Sequence, residues 1–232
     1  MRSLLNKAAL VAVALTAVSC FATAAQAQTT FAQFTQRNPS LRAFSFDSTT
    51  RILTATDVAV RFTFGVDSLA GEAGTQVDGL LDFSGTIGFD TAGGATRFGG
   101  PLANMSFSFT ASTPVLGRTN LLTLLPTTGA FTADGTTGNA QGSTGVGDTV
   151  VYTSDFLDFS PTTQRDYSFS FSGINPSVTT STLSNFNASG AGTFSSTPSP
   201  ITASVPEANA GLLVGLALPL LGGVAILRRR KK

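Results

Sequence analysis

The run Val58-Ala59-Val60-Arg61-Phe62-Thr63-Phe64-Gly65-Val66 places a large apolar residue at every even position and Ala, Arg, Thr or Gly between them. Side chains of a strand point alternately to opposite faces, so this period demands one buried face and one wetter face. The same period recurs in Phe44/Phe46, Leu81/Phe83/Ile87/Phe89, Met105/Phe107/Phe109 and Tyr167/Phe169/Phe171. In the last set Ser168, Ser170 and Ser172 fill the other face. Shorter candidates lie at 121–125, at 149–152 and around Phe186 and Phe194, separated by turn signals such as Ala92-Gly93-Gly94 and Asp134-Gly135. No helical period competes between Arg37 and Ser199. Alternation of this kind belongs to antiparallel sheets with one solvated face, whereas parallel sheets read as continuous apolar runs. The expectation is an all-β fold, an antiparallel β-sandwich of jelly-roll type. Nineteen Phe and no Trp make phenylalanine its core filler. Residues 28–38 are either a first strand or an N-terminal arm.

The two ends read differently. Arg2 and Lys7 precede an apolar segment, Ala8 to Val18, too short to span a bilayer. Ala25-Gln26-Ala27 follows as a small-x-small site, so signal peptidase is expected to cut after Ala27 and leave Gln28 first. Cys20 is preceded by Ala17-Val18-Ser19, without the leucine that a lipoprotein signal carries three places ahead of its cysteine. Cleavage after Ala27 leaves a mature chain with neither thiol nor disulfide. Near the C-terminus, Ser195-Ser196-Thr197-Pro198-Ser199-Pro200 has linker composition. Beyond it, Ala210 to Leu227 is an uncharged run whose helix would rise roughly 27 Å, close to the hydrocarbon thickness of a bilayer. Arg228, Arg229, Arg230, Lys231 and Lys232 abut it, and such a cluster stays on the cytoplasmic side. The expected organisation is a signal peptide (1–27), a β-sandwich ectodomain (28–194), a Ser/Pro linker (195–204) and a C-terminal signal (205–232) with a single transmembrane helix.

Val205-Pro206-Glu207, one short span and an Arg-rich terminus resemble the PEP-CTERM sorting signal. The fourth motif place, usually proline, is Ala208 here. The resemblance covers the last 29 or so residues and implies recognition of the tail by an exosortase, a membrane-embedded processing enzyme. It also implies a transient hold in the inner membrane, then release to the cell surface or medium, in a setting of exopolysaccharide and biofilm. Val205, Pro206, Glu207, Arg228, Arg229 and Arg230 are the residues it assigns to sorting. Leu125-Pro126-Thr127-Thr128-Gly129 matches a sortase motif letter for letter, yet it lies far upstream of the span, where Pro126 and Gly129 serve as turn residues.

Composition narrows the chemistry of the body. Between Gln28 and Ser204 there are seven Arg and no Lys against eleven Asp and one Glu, a balance of −5 that offers no basic surface for nucleic acid. With no His anywhere and no Lys in the body, neither the usual general bases nor a Ser–His or Ser–Lys pair can be assembled. Zinc, copper and haem lose their favoured ligands for the same reason. Asp155 and Asp158, three apart, are expected on opposite faces of a strand. Calcium takes oxygen donors, and the glycine-rich stretch 133–148 offers Asp134 and Asp148 as candidates, against the simpler reading of a hairpin or inter-sheet loop. No cofactor is expected. The reading is a non-enzymatic surface or matrix protein; the alternative is a carbohydrate-binding module, for which the body offers only Tyr152 and Tyr167 and no Trp, with Tyr167 on the apolar face of its strand.

Overall fold

The computed structural model describes residues 28–91, 97–126, 128–144 and 149–201. The expected signal peptide (1–27), the expected sorting signal (205–232) and its apolar run 210–227 lie outside the described residues, which hold no helix long and apolar enough to cross a membrane.

The described residues are all-β, with one large antiparallel sheet of eleven strands. In chain order these are β1 (Thr29–Gln36), β2 (Phe44–Asp47), β3 (Ile52–Phe64), β4 (Gln76–Ile87), β5 (Arg97–Val115), β6 (Arg118–Pro126), β7 (Thr128–Asp134), β8 (Thr137–Ser143), β9 (Val150–Thr153), β11 (Asp166–Asn175) and β12 (Phe186–Ser196). A small second sheet pairs β10 (Leu157–Asp158) with β13 (Ser199–Pro200).

The pairings of the large sheet close on themselves. β3 pairs β4, β4 pairs β5, β5 pairs β7, β7 pairs β8, β8 pairs β11 and β11 pairs β12. β1 and β2, end to end, then fill the gap between β12 and β3: β1 pairs the Thr29–Thr35 stretch with 191–196 and its second half with 60–64, while β2 pairs 186–188 and 52–54. β6 and β9 extend the wall above β7 and β8, since β6 pairs the C-terminal half of β5 and β9 pairs β6. The ring therefore visits its members in chain order, a meander in place of the Greek-key order of a jelly roll. The wall is sandwich-like in one respect, because opposite sides pack face to face on a single apolar layer.

That layer is phenylalanine. Phe34, Phe44, Phe62, Phe107, Phe109, Phe169 and Phe194 are fully buried. Rings from opposite sides meet directly, Phe107 on Phe169 at 4.3 Å and Phe34 on Phe109 at 5.0 Å between centroids, so no lumen runs between the walls. The outward face is polar. Gln141, Ser168, Thr193, Gln33, Thr63 and Gln76 stand in one cross-strand row over β8, β11, β12, β1, β3 and β4. A lipid-facing barrel requires the opposite arrangement, apolar out and polar in.

Alternation located most of the core correctly: Val58, Val60, Phe62 and Phe64 are buried, as are the Phe44, Phe107 and Tyr167 sets. The glycine-rich stretch follows its hairpin reading, β7 turning at Gly135-Thr136 into β8, whose inward positions Gly138, Ala140 and Gly142 are all small. Two differences have physical causes. Phe89 belongs to the apolar face by parity but is 77% exposed, because β4 and its two-residue alternation end at Ile87. The expected linker begins inside structure, since Ser195 and Ser196 complete β12 and Ser199-Pro200 pair with Leu157-Asp158.

Candidate functional site

Most described carboxylates of the body are occupied locally. Short polar side chains next to turns accept backbone N–H groups that would otherwise lack partners. Asp47 Oδ1 accepts from the Thr49 amide at 2.7 Å, Asp67 from Ala73, Asp82 from Asp57 and Asp90 from Gly99. The Asp155 carboxylate accepts from the amides of Thr119 and Asn120, and Asp158 from the amide and hydroxyl of Ser160. Asp155 lies in a bend, and only Asp158 sits on a strand, the two-residue β10, so the two do not share one strand as expected. The Thr49 amide holds the Asp47 carboxyl below its ordinary range, and the Ser160 amide does the same for Asp158. Asp166 moves the other way, raised by burial and only partly restored by the Gln28 side chain.

Of the calcium candidates, Asp134 closes β7 at the tight turn into β8, exposed, with its own carbonyl accepting from the Thr137 hydroxyl. Asp148 lies outside the described residues. Among the described residues no three His, Cys, Asp or Glu come together in a metal-binding group.

The expected sorting residues Val205, Pro206, Glu207, Arg228, Arg229 and Arg230 and the expected cleavage residues Ala25 and Ala27 also lie outside the described residues. What is described is where the chain enters and leaves the body, and both points are at one end of the ring. Gln28 Nε2 donates to the Ser195 carbonyl at 2.9 Å, and the Thr29 hydroxyl donates to the Ser196 carbonyl at 3.1 Å. The Ile201 amide meets the Phe156 carbonyl beside them. This end is plugged by the segment 154–165, which drives Phe156 and Phe159 inward against Phe64, Phe31 and Tyr152.

Arg165, which nothing in the sequence singled out, holds that plug. Its guanidinium donates to the carbonyls of Val150, Phe159 and Thr162 and to the Thr162 hydroxyl, all at 3.0–3.1 Å. Its own amide donates to the Thr144 hydroxyl. The fixed fork of an arginine suits several carbonyls converging on one point.

Two features of the outer surface remain. A groove of about 560 Å³ runs over β7, β8, β11 and β12, lined by Gln141, Ser143, Asp166, Ser168, Thr193 and Ser195 among others. Its hydroxyl and amide lining contains no exposed ring, because Tyr167 is 2% exposed beneath it and Tyr152 is likewise buried. Burial also pushes the Tyr152 phenol far above its ordinary pKa, and its hydroxyl donates to the Asp166 carbonyl. At the end opposite the chain exit stands Phe89, the one exposed aromatic ring among the described residues, with the Arg51 guanidinium over one face. The signal for it was present as Gly88 before and Asp90 after, which end a strand, but parity with Phe83 and Ile87 concealed it. No family model, no curated protein and no solved structure matches this chain.

Proposed function

We propose that this chain is an exported, non-enzymatic cell-surface or extracellular-matrix protein, sorted by an exosortase-type system. The observation that carries the reading is the tripartite C-terminus: Val205-Pro206-Glu207, the uncharged run 210–227 and the terminal cations Arg228 to Lys232. Signal peptidase frees Gln28, the inner membrane holds the C-terminal run, and the processing enzyme releases the body to the surface or medium. The basic cluster keeps the tail cytoplasmic and the body outside.

The body suits the role on physical grounds. Its carboxylates serve turns, its interior is solid phenylalanine, and its outer face is a field of hydroxyl and amide groups. A sandwich-like β scaffold of this kind is a rigid spacer whose surface hydrogen-bonds with a hydrated polymer such as an exopolysaccharide. Intact mass of the protein recovered from envelope and medium tests the reading. The expected species begins at Gln28 and lacks everything after about Pro206, and replacing Val205-Pro206-Glu207 by alanines leaves the full C-terminus in the membrane. A wild-type chain that retains its last residues in the membrane fraction and never reaches the medium sinks the reading.

A further inference from the structure

Phe89 departs from the rule that governs every other ring in the body. Both tyrosines and all the other described phenylalanines are buried, while Phe89 is 77% exposed. An exposed phenylalanine that flexes freely is unremarkable, but this one is fixed. The Arg51 guanidinium carbon lies 4.3 Å from the ring centroid, within cation–π range. Arg51 is itself anchored, its Nε donating to the Ile87 carbonyl at 2.8 Å and a terminal nitrogen donating to the Gly88 carbonyl. The backbone on either side of the ring is tied to β5: the Gly88 amide donates to the Pro101 carbonyl and the Thr91 amide to the Gly99 carbonyl, each at 2.7 Å. The Asp90 carboxylate accepts from the Gly99 amide in the same stretch. One face of the ring is thus covered by a clamped cation and the other is presented to solvent. Arg51 stands in the turn between β2 and β3 with φ +60, a region that costs a residue with a Cβ roughly 1 kcal/mol or more.

The size of the platform decides its partner. A protein interface needs on the order of 800 Å² per side around a cluster of apolar anchors. Here there is one ring, and the other exposed large apolar side chains belong elsewhere: Leu41 to the turn after β1, Leu116 to the β5–β6 turn, and Leu125 and Val151 to β6 and β9. One immobilised ring face amid glycine, threonine and aspartate matches the apolar face of a single sugar ring, whose hydroxyls can meet the polar groups around it. An aromatic already locked in place loses little conformational entropy on binding. We propose that Phe89, backed by Arg51, is a glycan-docking platform on which a pyranose ring of an extracellular polysaccharide stacks. Its position opposite the Gln28–Ile201 end places it away from the membrane while the tail is held there. The inference rests on the matrix reading for the source of the polysaccharide, although the stacking itself depends only on the ring.

The test is glycan-array retention of the full chain in detergent, comparing wild type with Phe89→Ala, Phe89→Trp and Arg51→Ala, followed by titration of the best-retained oligosaccharide. Wild type is expected to retain at least one pyranose glycan. Phe89→Ala is expected to weaken it at least tenfold with no change in melting midpoint, Phe89→Trp to match or exceed wild type, and Arg51→Ala to fall between. Absence of retention by wild type overturns the platform, and so does retention by Phe89→Ala equal to wild type. Should Phe89→Ala fold poorly, Phe89→Trp carries the test, since a merely structural ring gives no gain there. Intact mass of Phe89→Ala from envelope and medium separates the two proposals: loss of sugar binding with normal processing concerns the platform alone.

Discussion

At the scale of single residues, the interior is governed by the space each ring takes from its neighbours. Tyr167 lies opposite Gly142 in the β8–β11 pairing, and a Cβ on Gly142 would stand 2.6 Å from the Tyr167 hydroxyl and ring edge. The tyrosine ring lies over the bare glycine backbone and reaches the Thr128 carbonyl and the Met105 sulfur with its hydroxyl. The two residues are therefore one packing unit, an aromatic covering a glycine within a sheet. Gly142→Ala is expected to destabilise the body by about 1–3 kcal/mol, the usual range for overpacking. In a Tyr167→Ala background the same change should cost much less, because all three nearest atoms to the new methyl belong to Tyr167. A double-mutant cycle on urea midpoints measures the coupling, and additive effects would show that the wall, and not Tyr167, sets the limit. This explains what was hidden in the sequence. Tyr167, Phe169 and Phe171 were legible as inward residues by their period, whereas the glycines that receive them carry no apolar signal of their own.

Elements follow from the same logic. β3, β4, β5 and β11 were legible because their inward positions carry bulky residues at period two. β12 was seen only at its ends, Phe186 and Phe194, because its inward positions between them are Ala188, Gly190 and Gly192. A Cβ on Gly190 would stand 2.5 Å from the Phe44 ring and one on Gly192 2.7 Å from the Phe34 ring, so those rings fill the places of missing side chains. The start of β3 was missed for another reason. A bulge between Ala55 and Val58, with Asp57 at φ +50, flips the inward parity from Leu53 and Ala55 to Val58 and Val60. The plug was the least legible element, since its order comes from hydrogen bonds to Arg165 more than from any period. Its dependence on that residue can be measured. Arg165→Met keeps the aliphatic stem but removes the guanidinium donors to the Val150, Phe159 and Thr162 carbonyls, of which Phe159 keeps the Thr162 amide and hydroxyl, and the expected cost is about 2–4 kcal/mol. Arg165→Lys should recover only part of it, because an ammonium cannot reproduce the planar fork. Hydrogen exchange ought to show residues 156–162 losing protection first; uniform loss across the sheet would mean that Arg165 supports the whole wall.

For the whole molecule the decisive event is closure. β1 meets β12 through pairs from Thr29 with Ser196 to Thr35 with Ala191, contacts between residues more than 150 positions apart that form only after the intervening strands have ordered. Until then β3 and β12 each present an unpaired edge, the feature that makes a sheet prone to joining other chains. A folded body must therefore keep its first strand, and the proposed cut after Ala27 would do so by a margin of one residue, because β1 begins at Thr29. Deleting residues 28–36 tests how much closure contributes. The deletion removes the fully buried Phe31 and Phe34 and exposes the rings packed on them, among them Phe109, Phe169 and Phe194. Truncating one buried phenylalanine already costs about 3–5 kcal/mol, so losing two together with a full set of strand pairings exceeds most of the 5–15 kcal/mol that holds a typical domain folded. The shortened chain should lose its cooperative melting transition and elute as soluble aggregate or precipitate. Adding a synthetic peptide of residues 28–36 during refolding should restore a fraction of monomer, since the missing strand then enters between β12 and β3 from outside. A deletion variant that melts cooperatively as a monomer without the peptide would mean that the two walls hold together through their phenylalanine layer alone, with the closing strand adding little to the stability of the body.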